Sequence, residues 1–104
     1  MPDAFQFICF LEPSRDTMPE DPTPEEAAAV RAHFEYYSAR RDSGELILAG
    51  RTLERPWVGI FIFEAASRED AERLVEADPG VKAGVFRTRL QPYRVALLRG
   101  VDDV

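Results

Sequence analysis

One histidine and one aspartate are the residues of this 104-residue chain best placed for acid–base chemistry. His33 follows Val30 by three residues and precedes Tyr37 by four, so a helix would carry it at the border of an apolar stripe. Asp78 ends a second helical pattern, where the helix dipole disfavours a carboxylate by up to about 1 kcal/mol. If the two side chains meet, the carboxylate keeps one imidazole nitrogen protonated and leaves the other as a base near neutral pH.

Both residues also have a purely structural interpretation. A histidine with aromatic neighbours on a helix can simply be a packed side chain, with its polar atoms satisfied. Asp78, Pro79 and Gly80 form a turn sequence, in which Asp78 would cap a following helical turn with Pro79 at its first position. The sequence leaves the structural and the catalytic interpretation open.

Other kinds of site have no support in the sequence. With one histidine and the single cysteine Cys9, neither a histidine-rich nor a thiolate metal centre can form. The chain has no G-x-S-x-G elbow and no glycine-rich phosphate loop. We therefore expect a site with no metal and no cofactor.

The first half of the chain predicts three strands and a helix. Both alternating sets of residues in Phe5 to Leu11 are apolar, which is typical of a central strand buried on both faces. After a loop over residues 12–22, Thr23 is a predicted N-cap with Glu26 as its capping-box partner, and the helix should run from Pro24 to Asp42. Leu46 to Ala49 and Val58 to Phe63 then predict a hairpin.

The second half predicts another helix and a last strand. Ser67 caps the helix, which Pro79 ends, and Gly80 to Gly84 should be a turn or a short helical piece. The last strand is predicted from Val85 to about Leu98, with Pro92 restricting it to an edge or a bulge. The order βαββαβ predicts a ferredoxin-like α+β fold, in which a four-stranded antiparallel sheet carries two helices on one face.

Length and apolar content predict one domain over residues 1–104, since 45% apolar residues suffice for a core. Two helices cover only one face of the sheet, yet the strands from Phe5 and Ile60 are apolar on both. At roughly 25 cal/mol per Å² of apolar surface, an uncovered second face would forgo several kcal/mol. We therefore expect a homodimer packed sheet to sheet, or a large ligand.

The charge distribution argues against nucleic acid and membranes as partners. The net charge of −6 lies mostly between Glu12 and Glu26, whereas residues 27–104 carry as many acidic as basic residues. Nucleic-acid binding needs cations to neutralise phosphates, and no apolar run approaches the roughly 20 residues of a membrane span. Without a basic, apolar leader sequence, the expected location is the cytoplasm. Twelve of the thirteen cations are arginine, which leaves room for a local anion pocket.

Several segments together resemble the YciI (YCII-related) family. They are His33 to Tyr37, Gly44 to Leu46, Leu48 to Gly50, and the stretch Glu76 to Val85 with its A-D-P-x-V-x-A-G-V pattern. The resemblance runs through nearly the whole chain and implies a dimeric ferredoxin-like α+β barrel, akin to muconolactone isomerases and small antibiotic monooxygenases. It also implies a His/Asp pair in a cleft, and His33 and Asp78 fall on those positions.

The chain departs from the family pattern at the rim of the expected pocket. Arg51 follows Gly50 where many members have proline, and the two-glycine stretch before the third strand is reduced to Gly59, with Trp57 before it. Arg51 and Trp57 could contact the carboxylate and ring of a ligand, or simply lie on the surface of a hairpin. Tyr37 is the third predicted substrate-binding residue, because the aromatic side chains near the cleft would hold the substrate.

Three functions follow as hypotheses. The first is a small cofactor-independent enzyme of isomerase or dehydrochlorinase-like lyase type, which abstracts a proton from a small, cyclic or unsaturated molecule with His33 as base and Asp78 as its orienting partner. The second is a non-catalytic ligand-binding or accessory domain with a structural His/Asp pair. The third is an RNA-recognition module, since Val58 to Phe63 weakly resembles one of its motifs, although Val58 stands where a cation is expected.

Overall fold

The computed structural model describes residues 5–100. Its four strands are β1 (Phe5–Pro13), β2 (Leu46–Arg51), β3 (Gly59–Ala65) and β4 (Phe86–Tyr93). Its helices are α1 (Pro24–Asp42), α2 (Arg68–Glu76) and the short α3 (Pro79–Lys82). The strands form one antiparallel sheet in the order β2-β3-β1-β4, which confirms the predicted ferredoxin-like α+β fold with β1 inside the sheet.

Helix α1 begins and ends at the predicted residues, and its start is capped twice. The hydroxyl of Thr23 accepts from the amide of Glu26 at 3.1 Å, and the Glu26 carboxylate accepts from the amide of Thr23 at 2.8 Å. Pro24 occupies the first helical position, where a missing N–H costs nothing. The start of this helix is therefore fixed by local contacts, and these also fix the turn of the helix on which His33 lies.

The core lies between the sheet and the helices. Side chains of β1 and β3 alternate, and one set from each strand points towards α1 and α2. The buried residues of this core are Phe7, Cys9, Leu11, Tyr37, Phe61, Phe63, Ala71 and Val75. The hydroxyl of Tyr36 donates to the carbonyl of Leu74 at 2.6 Å, so α1 and α2 are also joined by a hydrogen bond.

The last strand is shorter than predicted. It ends at Tyr93, which pairs with Gln6 of β1, and not near Leu98. Beyond that point no partner backbone among the described residues continues the ladder. The chain turns instead, and the amide of Val95 donates to Oε1 of Gln6 at 2.7 Å.

The second face of the sheet is partly covered by this same chain. Residues 94–98 border one cavity together with Leu48 and Ile62, and Ile62 is only 8% exposed. The guanidinium of Arg89 lies 4.3 Å from the ring centroid of Phe10 on that face. The C-terminal segment, residues 94–98, thus borders part of the face for which the sequence predicts a second copy or a large ligand as cover.

Within residues 5–100, no helix has the length and apolar character needed to cross a membrane.

Candidate active site

The structure places His33 and Asp78 in direct contact. Nδ1 of His33 lies 2.7 Å from Oδ2 of Asp78, although the two residues are 45 positions apart in the sequence. The Asp78 side chain is completely buried, and the His33 side chain is 13% exposed. The pair therefore joins α1 to the start of α3 and reaches solvent only on the imidazole side.

The two carboxylate oxygens of Asp78 have different partners. Oδ1 accepts a hydrogen bond from the amide of Gly80 at 2.8 Å, which makes Asp78 the N-cap of α3. Oδ2 is left to face the imidazole, so a neutral His33 donates its proton from Nδ1. The capping role and the contact with His33, which the sequence presents as alternatives, thus occur together.

Three aromatic rings hold the imidazole in its orientation. The ring centroid of His33 lies 5.2 Å from that of Tyr37, 5.3 Å from that of Phe61 and 4.7 Å from that of Phe86. Tyr37 in turn stacks on Phe61 with the ring planes 10° apart. With Nδ1 engaged by Asp78, Nε2 is the nitrogen left for a bound molecule, and it has no hydrogen-bond partner within residues 5–100.

His33 lines a cavity of about 360 Å³ between α1, the β2–β3 hairpin and the loop after β1. This volume is at the small end of the roughly 300–1,000 Å³ typical of small-molecule sites. Most of its wall is apolar and includes Val30, Phe61 and Phe86. A flat, mainly apolar molecule of one or two rings would fit against His33 here.

Two of the three predicted substrate-binding residues line this cavity. Arg51 and Trp57 border it together with His33. Tyr37 borders an adjoining cavity of about 350 Å³ instead, and this second cavity shares His33 with the first one. Within the described residues, the buried Tyr37 hydroxyl has no hydrogen-bond partner, and burial raises the pKa of this phenol above its usual value, so it stays protonated.

Sequence reasoning missed three residues that position the pair. Phe61 and Phe86 contact the imidazole, and Gly80 supplies the amide that binds Asp78. The alternation of β3 indicates a buried Phe61, but only the packing of α1 on the sheet reveals what its ring touches. Gly80 belongs to the Asp-Pro-Gly turn, whose sequence indicates a cap but no neighbouring helix.

Residues 5–100 contain no group of three or more His, Cys, Asp or Glu side chains that could hold a metal ion. Cys9 is fully buried in the core, and burial, aided by the nearby charge of Asp78, raises the pKa of its thiol to about 12. The thiol is therefore unsuited to act as a nucleophile.

The family model of the YCII-related domain matches residues 6–91. No curated protein matches the sequence significantly. Among solved structures, 5-chloro-2-hydroxyhydroquinone dehydrochlorinase (TftG) from Burkholderia phenoliruptrix, in complex with 2,5-dihydroxybenzoquinone, is similar with a TM-score of 0.68 and 20% identity, covering 86% of this chain and 93% of the other.

A second similar structure is a point mutant of SnoaB, a cofactor-independent oxygenase from Streptomyces nogalater. Its TM-score is 0.52 at 9% identity, and the match covers 96% of this chain and 100% of the other. At these identities the similarity establishes the fold.

Proposed function

Because the chain belongs to the YCII-related domain family, we propose that it is a small cofactor-independent enzyme that removes a proton from a small organic molecule. In this proposal His33 is the catalytic base, and Asp78 is a positioning residue that acts through it. The observation that carries the proposal is the contact of 2.7 Å between Nδ1 and Oδ2, combined with the position of the imidazole on the cavity wall.

The chemistry begins with a neutral imidazole whose Nδ1–H is donated to Asp78. Nε2 takes a proton from a substrate carbon next to a carbonyl group, and the electron pair of that C–H bond moves into the enolate. The charge of the resulting imidazolium is stabilised by the buried carboxylate of Asp78. Nε2–H then returns the proton to another carbon, which completes an isomerisation. In an elimination, a leaving group departs as an anion and Nε2 releases its proton to solvent.

The structural neighbours support this class of reaction. One is a dehydrochlorinase, and another is an oxygenase that works without a cofactor. The dehydrochlorinase is bound to a dihydroxybenzoquinone, a flat ring compound. The apolar cavity beside His33 has a volume suited to a molecule of that shape.

Proton exchange with solvent tests the proposal without knowledge of the natural substrate. In deuterium oxide, the wild-type protein should incorporate deuterium into enolisable cyclic ketones or quinols, as followed by NMR. His33→Asn keeps a nitrogen near the position of Nδ1 but removes Nε2, so exchange should fall by about 100-fold or more. Exchange that persists in His33→Asn would rule out His33 as the base.

Asp78→Asn provides the matching test of the positioning residue. The amide keeps the size of the side chain and can still accept from Gly80, but it cannot stabilise an imidazolium. We expect a lower kcat and a changed pH profile with KM nearly unchanged. A purely structural Asp78 would alter stability and leave the pH profile of the remaining activity as in the wild type.

A non-catalytic domain is the second candidate function. It is favoured by the complete burial of Asp78 and by the three rings around His33, since both features also suit a structural link between helices. In that case His33→Asn lowers the melting temperature, and the wild type incorporates no deuterium into any of the cyclic ketones or quinols tested. Ligand binding in the cavity would then occur without turnover.

We also propose that two copies pair through the second face of the sheet. The exposed fractions of Leu48, Tyr93 and Leu97 are 42%, 44% and 81%, so apolar surface remains open there beside the C-terminal segment. Sedimentation velocity should show a dimer, and Leu97→Asp should shift it towards monomer. A wild-type monomer at high micromolar concentration would contradict the pairing.

A further inference from the structure

Two cavities adjoin His33, and the inference concerns the one of about 360 Å³. Among the described residues that line this cavity, Arg51 carries the one permanent charge. We infer that this cavity binds a small cyclic or unsaturated carboxylate, and that Arg51 holds the carboxylate group while the rest of the molecule lies against the apolar wall. The inference rests on the proposed function, since it names the substrate class of the same site. Arg51 would be a specificity-determining residue, in contact with the substrate but not with the reacting atoms.

The register of the sheet brings Arg51 to the same side as His33. Arg51 pairs with Gly59, and Ala49 pairs with Phe61, whose ring contacts the imidazole. Because side chains alternate along a strand, Arg51 leaves the sheet on the same face as Ala49. Two residues along a strand span roughly 6.6 Å, about the length of one substituted ring. A ring acid could therefore reach both the guanidinium and the imidazole.

The sheet leaves space beside Arg51 for such a ligand. Gly59 carries no side chain, and a Cβ built there would lie 3.6 Å from both the backbone oxygen of Gly50 and Cβ of Leu11. An ordinary side chain at position 59 would extend into the volume next to the guanidinium. The absence of a side chain at Gly59 therefore leaves the part of the cavity beside Arg51 open to a ligand.

The charges around the cavity favour an anion. Arg51 has no ion-pair or hydrogen-bond partner within residues 5–100, whereas Arg55 on the same hairpin pairs with Asp16 and Glu20. In the described part of the chain no carboxylate lines the cavity, and Asp78 is fully buried and already bonded to His33 and Gly80. A guanidinium at an apolar wall binds a planar carboxylate with two parallel hydrogen bonds. Such a contact also fixes which C–H of the ligand faces Nε2.

Matched acids and amides test the inference. The probes are benzoate and cyclohex-1-ene-1-carboxylate, each compared with its neutral carboxamide of nearly equal shape, with affinities measured by calorimetry. We expect the wild type to bind each acid about 10- to 100-fold more tightly than its amide, as a charge-assisted hydrogen bond provides. Arg51→Gln should abolish this preference, and Arg55→Gln should retain it because Arg55 faces the acidic loop.

The binding measurements test the role of Arg51, whereas the proton-exchange measurements test the catalytic role of His33. Equal affinities for acid and amide, absence of acid binding, or a preference that survives in Arg51→Gln would overturn it. His33→Asn should still bind the acids, since Arg51 is untouched. Acid-selective binding without any proton exchange would leave the inference standing and remove the catalytic proposal. Proton exchange on neutral ketones, without acid-selective binding, would leave the catalytic proposal standing and remove the inference.

Discussion

Gly80 and Phe86 are in direct contact, and no side chain fits between them. A Cβ on Gly80 would lie 2.8 Å from two ring carbons of Phe86, and 3.2 Å from Cβ of His33. The missing side chain lets α3 approach α1 closely, and this approach brings Asp78 to the imidazole. A glycine that takes no part in any reaction thus controls the geometry of the candidate site.

Gly80→Ala should move α3 away from α1. The added methyl group must displace either the Phe86 ring or the backbone of α3, at a cost of about 1–3 kcal/mol in the free energy of unfolding. Urea denaturation measures this loss. Gly50→Ala is the matched control, because a Cβ there meets nothing within 4 Å, and its stability should change by less than about 0.5 kcal/mol. Similar values for the two variants would show that α3 is loosely packed.

Asp78→Ala should destabilise the fold clearly. It leaves the amide of Gly80 and Nδ1 of His33 without their partner in a buried place, and each unsatisfied polar group costs about 1–3 kcal/mol. Asp42→Ala at the exposed end of α1 is the control, with a change within about 0.5 kcal/mol. A loss no larger than that of the control would mean that water replaces the carboxylate without cost.

Cys9 should be inert towards alkylation in the folded protein. Burial raises the pKa of its thiol to about 12, and the thiolate is the reactive form, so at pH 8 the fraction of thiolate falls on the order of a thousandfold. Mass spectrometry after treatment with iodoacetamide should show modification only in denaturant. Rapid labelling under native conditions would instead reveal frequent opening of the core.

Glu26 should contribute stability that acid removes. The hydrogen bond from Arg15, followed by that from the amide of Thr23, lowers the pKa of Glu26 from 4.5 to about 2. Because the folded pKa lies below the unfolded one, the contribution is complete above pH 4.5 and disappears as the pH falls towards 2. Glu26→Gln retains the capping-box geometry but loses the ion pair. The stability difference between wild type and Glu26→Gln should therefore shrink over that range, and a constant difference would contradict the assignment.

Arg55→Gln should loosen the loop after β1 without unfolding the protein. Arg55 binds Asp16 and Glu20, and such exposed ion pairs contribute little to global stability because solvent screens them. The effect should appear as faster hydrogen exchange at the amides of Glu20 and Asp21, which donate to the carbonyl of Thr17. Unchanged exchange there would show that Arg55 does not hold the loop, and that the buried Met18 and the hydrogen bonds of Arg15 to Thr17 and Asp21 suffice.

Local signals in the sequence were sufficient wherever a structure depends on neighbours along the chain. The capping box at Thr23 predicts the start of α1, and the predicted range from Pro24 to Asp42 is observed. Apolar residues at both alternating sets of β1 predict its interior place in the sheet, and the order of elements predicts the fold. The YCII-related resemblance was confirmed as well, since the family model matches residues 6–91.

The prediction failed for the last strand because strand length depends on a distant partner. Nothing near Tyr93 in the sequence shows that the chain leaves the ladder with β1 after Tyr93 pairs with Gln6, so an apolar run to Leu98 resembles a longer strand. The partial cover of the second face by residues 94–98 follows from the same turn of the chain. Tyr37 is a related case, since α1 has to pack on the sheet before its ring can be assigned to one cavity or the other.

The sequence by itself determined the two longer helices, the order of the elements and the two residue types able to perform acid–base chemistry, because side-chain periodicity and local caps encode them. The tertiary structure alone decided that His33 and Asp78 touch, that each Asp78 oxygen has its own partner, and that Arg51 shares the cavity with the imidazole. These relations depend on how closely α3 packs against α1, and on which face of the sheet Arg51 occupies. Both are set by contacts between residues far apart in the chain, among them the close approach of Gly80 to His33 on α1.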